Sequence, residues 1–179
     1  MKKYLYMIAA LFGIDYFCKE NIEAQKPEDF PRNMEKSHGK IRLYRNHNDG
    51  FCFGVKKEKK ELVRMVPVVF TSAAAGILTW LLCRDEGRKA DRIGFALITA
   101  GGLSNLYDRL KRGYVVDYFS IRCKFLETVV FNLGDFFIFA GSALIAASDL
   151  LGAVRDLTSP AEDHIKVLRL PWRKTDEAE

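Results

Sequence analysis

A chain of 179 residues carries material for one folded domain. Its averages look soluble, with 49% hydrophobic and 28% charged residues and a mean hydropathy of −0.08, yet charge and apolar residues are segregated along the chain. The net charge of +5 suits lipid headgroups better than nucleic acid once the apolar stretches are counted, and the scattered Cys18, Cys52, Cys83, Cys123, His38, His47 and His164 lack metal-site spacing, so no nucleic acid, metal or cofactor is expected.

In chain order, Lys2-Lys3 and the apolar run Tyr4–Phe17 come first. The following Asp15-Tyr16-Phe17-Cys18-Lys19 has no small-x-small cleavage site, so an uncleaved anchor is expected rather than a signal peptide. A polar loop follows. Within it, 41–45 and 51–55 alternate around Asn48-Asp49-Gly50, which predicts a small hairpin with an Asp-Gly turn lying on the membrane surface. Met65–Cys83 is uncharged and apolar on every face, the pattern of a helix in lipid rather than of a half-wet one. Ile93–Leu106 is shorter and runs into Asp108 and Arg109. The residues from Asp117 to Val129 are too few and too polar for another crossing, and Val129–Leu150 holds only Asp135 and Asp149 as charges. After Leu151 the chain is charged and without period. The fold class expected is an all-α integral membrane protein, a four-transmembrane-helix bundle with a small β-hairpin in loop 1. Its spans fall at about 4–18, 65–83, 92–107 and 129–151 in a domain covering 1–154, with a polar tail over 155–179.

Four spans put loops 1 and 3 on one face. Asp117 and Asp135 therefore lie near the same surface as the span ends carrying Asp15, Lys19, Asn105, Asp108 and Arg109. Orientation does not follow from charge. With the N-terminus inside, most of the 28 Lys and Arg fall in the outer loops, but chiefly in one long loop where the positive-inside rule is weak.

Ionisable groups within spans are costly and usually have a task. Two carboxylates in a site of low polarity share one proton, so one can take a proton from water while the other protonates a leaving group. Asp117 and Asp135 can meet in this way, which would support hydrolysis without serine, cysteine or metal. Asp135 could instead pair with Arg109 or cap a helix. A non-catalytic membrane protein binding lipidated peptides and a small ion or proton carrier are the other functional readings.

The segments Asn105-Leu106-Tyr107-Asp108-Arg109, Gly113-Tyr114-Val115-Val116-Asp117-Tyr118 and Phe131-Asn132-Leu133-Gly134-Asp135 closely resemble the bacterial lipoprotein signal peptidases, the type II signal peptidases. Asp15-x-x-x-Lys19 and Asn48-x-Gly50-x-x-Phe53 fall in the same order, and the resemblance covers about 4–150. It implies an aspartic endopeptidase of the bacterial cytoplasmic membrane with its site at the extracytoplasmic face and both termini inside. The expected substrates are prolipoproteins carrying a diacylglyceryl-modified cysteine; membrane lipids are the other partners, and a monomer is expected. Asp117 and Asp135 match the catalytic pair. Asn48, Gly50, Asn105, Asp108, Arg109, Asn132, Asp15 and Lys19 match residues that shape the site or hold substrate. Phe51 and Cys52 replace two alanines usual in the family, Gly134 replaces another, and Ala100-Gly101-Gly102-Leu103-Ser104 exchanges small residues within its glycine-rich segment.

Overall fold

The computed structural model describes residues 1–50, 60–84, 88–124 and 126–158, apart from the side chains of 60–64. It is mostly helical: α1 (Lys2–Glu23), α2 (Lys60–Cys83), α3 (Lys89–Lys111) and α4 (Leu133–Thr158). Three short strands complete it, β1 (Arg32–Asn33), β2 (Ile41–Asn48) and β3 (Val115–Ile121). Two compact units divide the chain, Met1–Ile145 and Ala146–Glu179, and every residue of the candidate site lies in the first.

Met65–Cys83 and Leu133–Thr158 are long and apolar enough to cross a membrane. Their apolar side chains are left uncovered, Phe70 being 74% and Trp80 54% exposed. A water-soluble bundle would bury such side chains, at about 1.5–3 kcal/mol each, so these helices are built for an apolar surround. α1 and α3 fall short of that standard, because each carries charges along its length.

α3 packs against both α1 and α2. Tyr4, Leu78 and Ala96 form one buried cluster joining the three helices. Ile22, Val116 and Tyr118 form a second, against which Leu133 packs, and this one ties the end of α1 to β3 and the start of α4. Small residues let α3 come close to its neighbours. A Cβ at Gly101 would fall into the Gly134 carbonyl, and one at Gly141 would stand 2.5 Å from the Gly94 carbonyl oxygen. The α3 and α4 backbones therefore touch at two levels.

The sheet is antiparallel in the order β1-β2-β3. The first arm of the hairpin expected from sequence exists and runs on to Asn48. Its hydrogen-bonded partners, however, are β1 and β3; the expected second arm, 51–55, lies outside the described residues. β3 comes from the segment read as loop. Val115-Val116 and Tyr118-Phe119 favour extended backbone, and four of its first residues are buried in succession, which hides the alternation that marks a half-wet strand. A break in the β2–β3 register between Leu43 and Asn46 brings Asn46 opposite Asp117 and Asn48 opposite Val115. Beyond β3 the chain turns back, and Phe131 pairs with Phe119 (Phe131 N to Phe119 O, 2.7 Å). That bridge is why α4 starts at Leu133, four residues later than hydropathy suggests.

The close α3–α4 contact gives a stability test. Gly101→Ala and Gly141→Ala are each expected to cost about 1–3 kcal/mol by overpacking, seen as earlier thermal unfolding in detergent. Gly76→Ala in α2, where a Cβ meets nothing within 4 Å, should leave the transition in place or raise it.

Candidate active site

The site grows from the start of α4. Helix N-termini leave backbone N–H groups without partners, and Asn132 supplies one from the residue before the helix: its Oδ1 accepts the Asp135 N–H at 2.9 Å. Asp135 answers by accepting the Asn132 N–H on Oδ2 at 3.2 Å. This is the reciprocal geometry of a capping box, with aspartate in the third helical position. Asp135 thus does cap a helix, and capping fixes its side chain in place. The remaining end of Asn132, Nδ2, donates to Asp117 Oδ1 at 2.9 Å. One buried asparagine therefore holds both aspartates.

Asp117 sits in the middle of β3 and is only 4% exposed. Its second oxygen accepts from Asn48 Nδ2 at 3.0 Å. Asn48 ends β2, and its own Oδ1 accepts the Gly50 N–H at 3.0 Å. Arg109 donates to the Gly50 carbonyl at 2.7 Å, so the chain after β2 is tied to the site at both its side chain and its backbone. Burial, then the neighbouring Asp135, push the Asp117 carboxyl up to about 7, against the pull of the two amides and of Lys19.

Asp135 Oδ1 accepts from Asn105 Nδ2 at 2.8 Å, and behind Asn105 lies Lys19, whose Nζ donates to Asn105 Oδ1 at 2.9 Å. Lys19 and Asp15 are fully buried, 2.8 Å apart, with Asp108 at 3.1 Å on the other side of the ammonium. Ser104 donates to Asp15 at 2.6 Å. Tyr118, whose hydroxyl is kept protonated by burial and by the Asp15 charge, donates to the other Asp15 oxygen at 3.0 Å. Asp15 also accepts the Leu133 N–H at 3.0 Å, and Asp108 accepts the Val116 N–H at 3.1 Å. The knot thereby fastens α1 and α3 to the elements that bear the two aspartates.

A cleft opens over this floor. Asn48, Asn105, Arg109, Asp117 and Asp135 form its polar side, and Val115, Val129, Val130, Phe131 and Phe139 its apolar side. Asp117, Asp135, Asn48, Asn105 and Arg109 are thus brought together in the cleft; Gly50 and Asn132 bond directly to members of that set. Asp15, Lys19 and Asp108 lie beneath it. Sequence reasoning passed over Ser104 and Tyr118, although both stand in the quoted segments; their role depends on Asp15, which lies 89 and 103 residues away from them in sequence. Phe51 and Cys52 lie outside the described residues.

Residues 7–151 match the family model described as Signal peptidase (SPase) II. The chain is 30% identical over 154 residues to the lipoprotein signal peptidase of Mesorhizobium japonicum, covering 86% of this chain and 88% of the relative. It is 34% identical over 119 residues to that of Brucella ovis, covering 66% and 73%. A bacterial membrane enzyme solved by the in meso method at 2.3 Å resolution shares the fold, with a TM-score of 0.73 at 19% identity over 89% of this chain and 94% of that one. A second such structure, at 1.9 Å resolution, has a TM-score of 0.68.

The buried knot sets a second test. Lys19→Ala leaves Asp15 and Asp108 facing each other without their shared cation, which should cost about 3–5 kcal/mol. Glu20→Ala, removing the more exposed partner of Arg112, should cost about 1 kcal/mol or less. Urea or thermal unfolding in detergent separates the two.

Proposed function

The chain belongs to the signal peptidase II family, and on that premise we propose that it is an aspartic endopeptidase whose reacting groups are Asp117 and Asp135. It is a membrane protease that removes signal peptides from prolipoproteins. The observation carrying the aspartic assignment is that Asn132 bonds to both aspartates at the floor of a cleft. The chemistry is that of a pair holding one proton: the ionised carboxylate draws a proton from water, and the protonated one polarises the scissile carbonyl. Asn48, Asn105 and Asn132 meet the two carboxyl groups through N–H donors, which hold them without consuming the proton they share. Asn48, Asn105 and Asn132 position them, and Arg109 with Gly50 fixes the chain leaving β2. The apolar wall of Val129, Val130, Phe131 and Phe139 suits the lipid-modified cysteine of the substrate.

Residues 1–154 form a four-span membrane domain in this reading, with 155–179 as a polar tail. α1 and α3 join the two apolar helices as spans, because their central charges are buried in the knot and not presented to lipid. Loops 1 and 3 then face outward from the bacterial cytoplasmic membrane, with both termini inside. Both carboxylates come from one chain, so a monomer suffices. A carrier would need carboxylates spaced across the bilayer, whereas these share one cleft.

Asp117→Asn and Asp135→Asn should each abolish cleavage of a diacylglyceryl-modified precursor by purified protein without loss of folding, and the double variant should be scarcely worse. Appreciable turnover by either single variant would remove the dyad. Because Asp117 keeps its proton only up to about pH 7, wild-type cleavage should fall as pH rises through that value.

Topology is checked separately. A cysteine introduced at Ser37 should react with a membrane-impermeant thiol reagent on whole cells, and one introduced at Thr175 only after lysis. The reverse pattern would place the cleft on the cytoplasmic side.

A further inference from the structure

The three asparagines that face the dyad are turned by different donors. An ammonium has hydrogens and no lone pair, so Asn105 must show Lys19 its Oδ1, at 2.9 Å, and must point Nδ2 at Asp135 Oδ1, at 2.8 Å. Asn48 and Asn132 are turned instead by backbone N–H groups, those of Gly50 and Asp135, and point their amides at Asp117. A full positive charge therefore stands behind the amide on Asp135, and neutral peptide groups stand behind both amides on Asp117. Hydrogen bonds in a chain polarise one another, and a cation at the head of the chain strengthens the final bond to an anion. Asp135 gains further from the Asn132 N–H at the positive end of α4.

The other charges around Asp135 do not reverse this bias. From α1, Asp15 is occupied by Lys19, Ser104, Tyr118 and the Leu133 N–H. From α3, Asp108 lies between Lys19 and Arg112, and Arg109 lines the same cleft as a further cation. From β3 comes Asp117 itself.

Resting on the reading of Asp117 and Asp135 as the peptidase pair, we propose that Lys19, acting through Asn105, divides the labour between them: Asp135 is held as the ionised base, and Asp117 carries the proton. Lys19 is a positioning residue and touches no reacting atom. In the first step the Asp135 carboxylate takes a proton from water as the oxygen bonds to the scissile carbon, and Asp117 gives its proton to the carbonyl oxygen. The resulting diol collapses as Asp117 takes back a hydroxyl proton and Asp135 delivers its proton to the leaving nitrogen. The C–N bond breaks, and both groups return to their starting states.

The test needs no turnover. Infrared spectra of the purified protein at about pH 5, well below the value of about 7 at which Asp117 gives up its proton, are compared with those of Asp117→Asn and Asp135→Asn. Wild type minus Asp117→Asn should show a protonated-carboxyl band, and wild type minus Asp135→Asn only carboxylate bands; the opposite assignment overturns the proposal. Lys19→Arg should keep the wild-type pattern, whereas Asn105→Ala, which keeps both ion pairs of Lys19, should spread the protonated band over both residues. An unchanged pattern in Asn105→Ala would remove the relay. In pH profiles of kcat/KM, Asn105→Ala should move the acid limb up by about one pH unit, and Asn48→Ala the alkaline limb; a shift of the same limb in both variants would also overturn it. Cleavage that survives in either aspartate variant would remove the reading of the two as the reacting pair instead, and the infrared assignment would stand apart from it.

Discussion

The N–H groups at the start of α4 have to be satisfied in a low-polarity setting, where an orphaned donor costs about 1–3 kcal/mol. Two side chains meet that need, Asn132 and Asp135 capping one another, and Asp15 reaches in from α1 to take the Leu133 N–H. Once Asn132 is committed through its oxygen, its amide has one direction left, and that direction is Asp117. The distance between the two carboxyl-bearing elements is thus a by-product of ending a loop and starting a helix correctly. β3 contributes by pairing Phe119 with Phe131, which delivers the chain to Asn132 at the right height.

The knot below has the opposite energetic character. Burying Lys19, Asp15 and Asp108 together forfeits hydration that their mutual attraction only partly returns, so ion pairs of this kind are poor general stabilisers. Their value here is directional. Ammonium, carboxylate and hydroxyl each tolerate only certain neighbours, and the set Lys19, Asp15, Ser104, Tyr118, Asp108 and Asn105 can be satisfied together in one arrangement. Four elements are locked in relative position at the depth where the cleft needs them.

Much of this was legible in the sequence, in a graded way. The two strongly apolar helices stand out because hydropathy measures what lipid-facing residues do. α1 and α3 stand out less, since Asp15, Lys19 and Asp108, buried in the knot, lower the same average along with the exposed charges at the helix ends. That Asp117 and Asp135 lie near one surface followed from counting crossings, with no knowledge of contacts. The capping role of Asp135 was visible as one option for a lone aspartate before an apolar run, although its reciprocity with Asn132 depends on the turn made at Phe131. The pairing of β2 with β3 was hidden: the strands are separated by two helices, and Asp117 interrupts the apolar pattern of β3. Ser104 and Tyr118 each look like ordinary helix and strand residues until Asp15 is placed between them.

Gly134 sits between Asn132 and Asp135, where α4 lies against α3, and its missing side chain has a consequence for how the sequence can drift. A methyl group there would stand 3.0 Å from Asn132 Oδ1, 3.1 Å from Asp15 Oδ2 and 3.1 Å from the Gly101 carbonyl oxygen. An alanine at this point would press on Asn132, Asp15 and the α3 backbone together, so the spacing of the two helices is set jointly at positions 101 and 134. Exchanges on the outward faces of α2 and α4 can accumulate independently, because lipid accepts one apolar side chain as readily as another. Changes at this crossing have to be made jointly, so the outer surface of the chain tolerates single exchanges while this contact tolerates only paired ones.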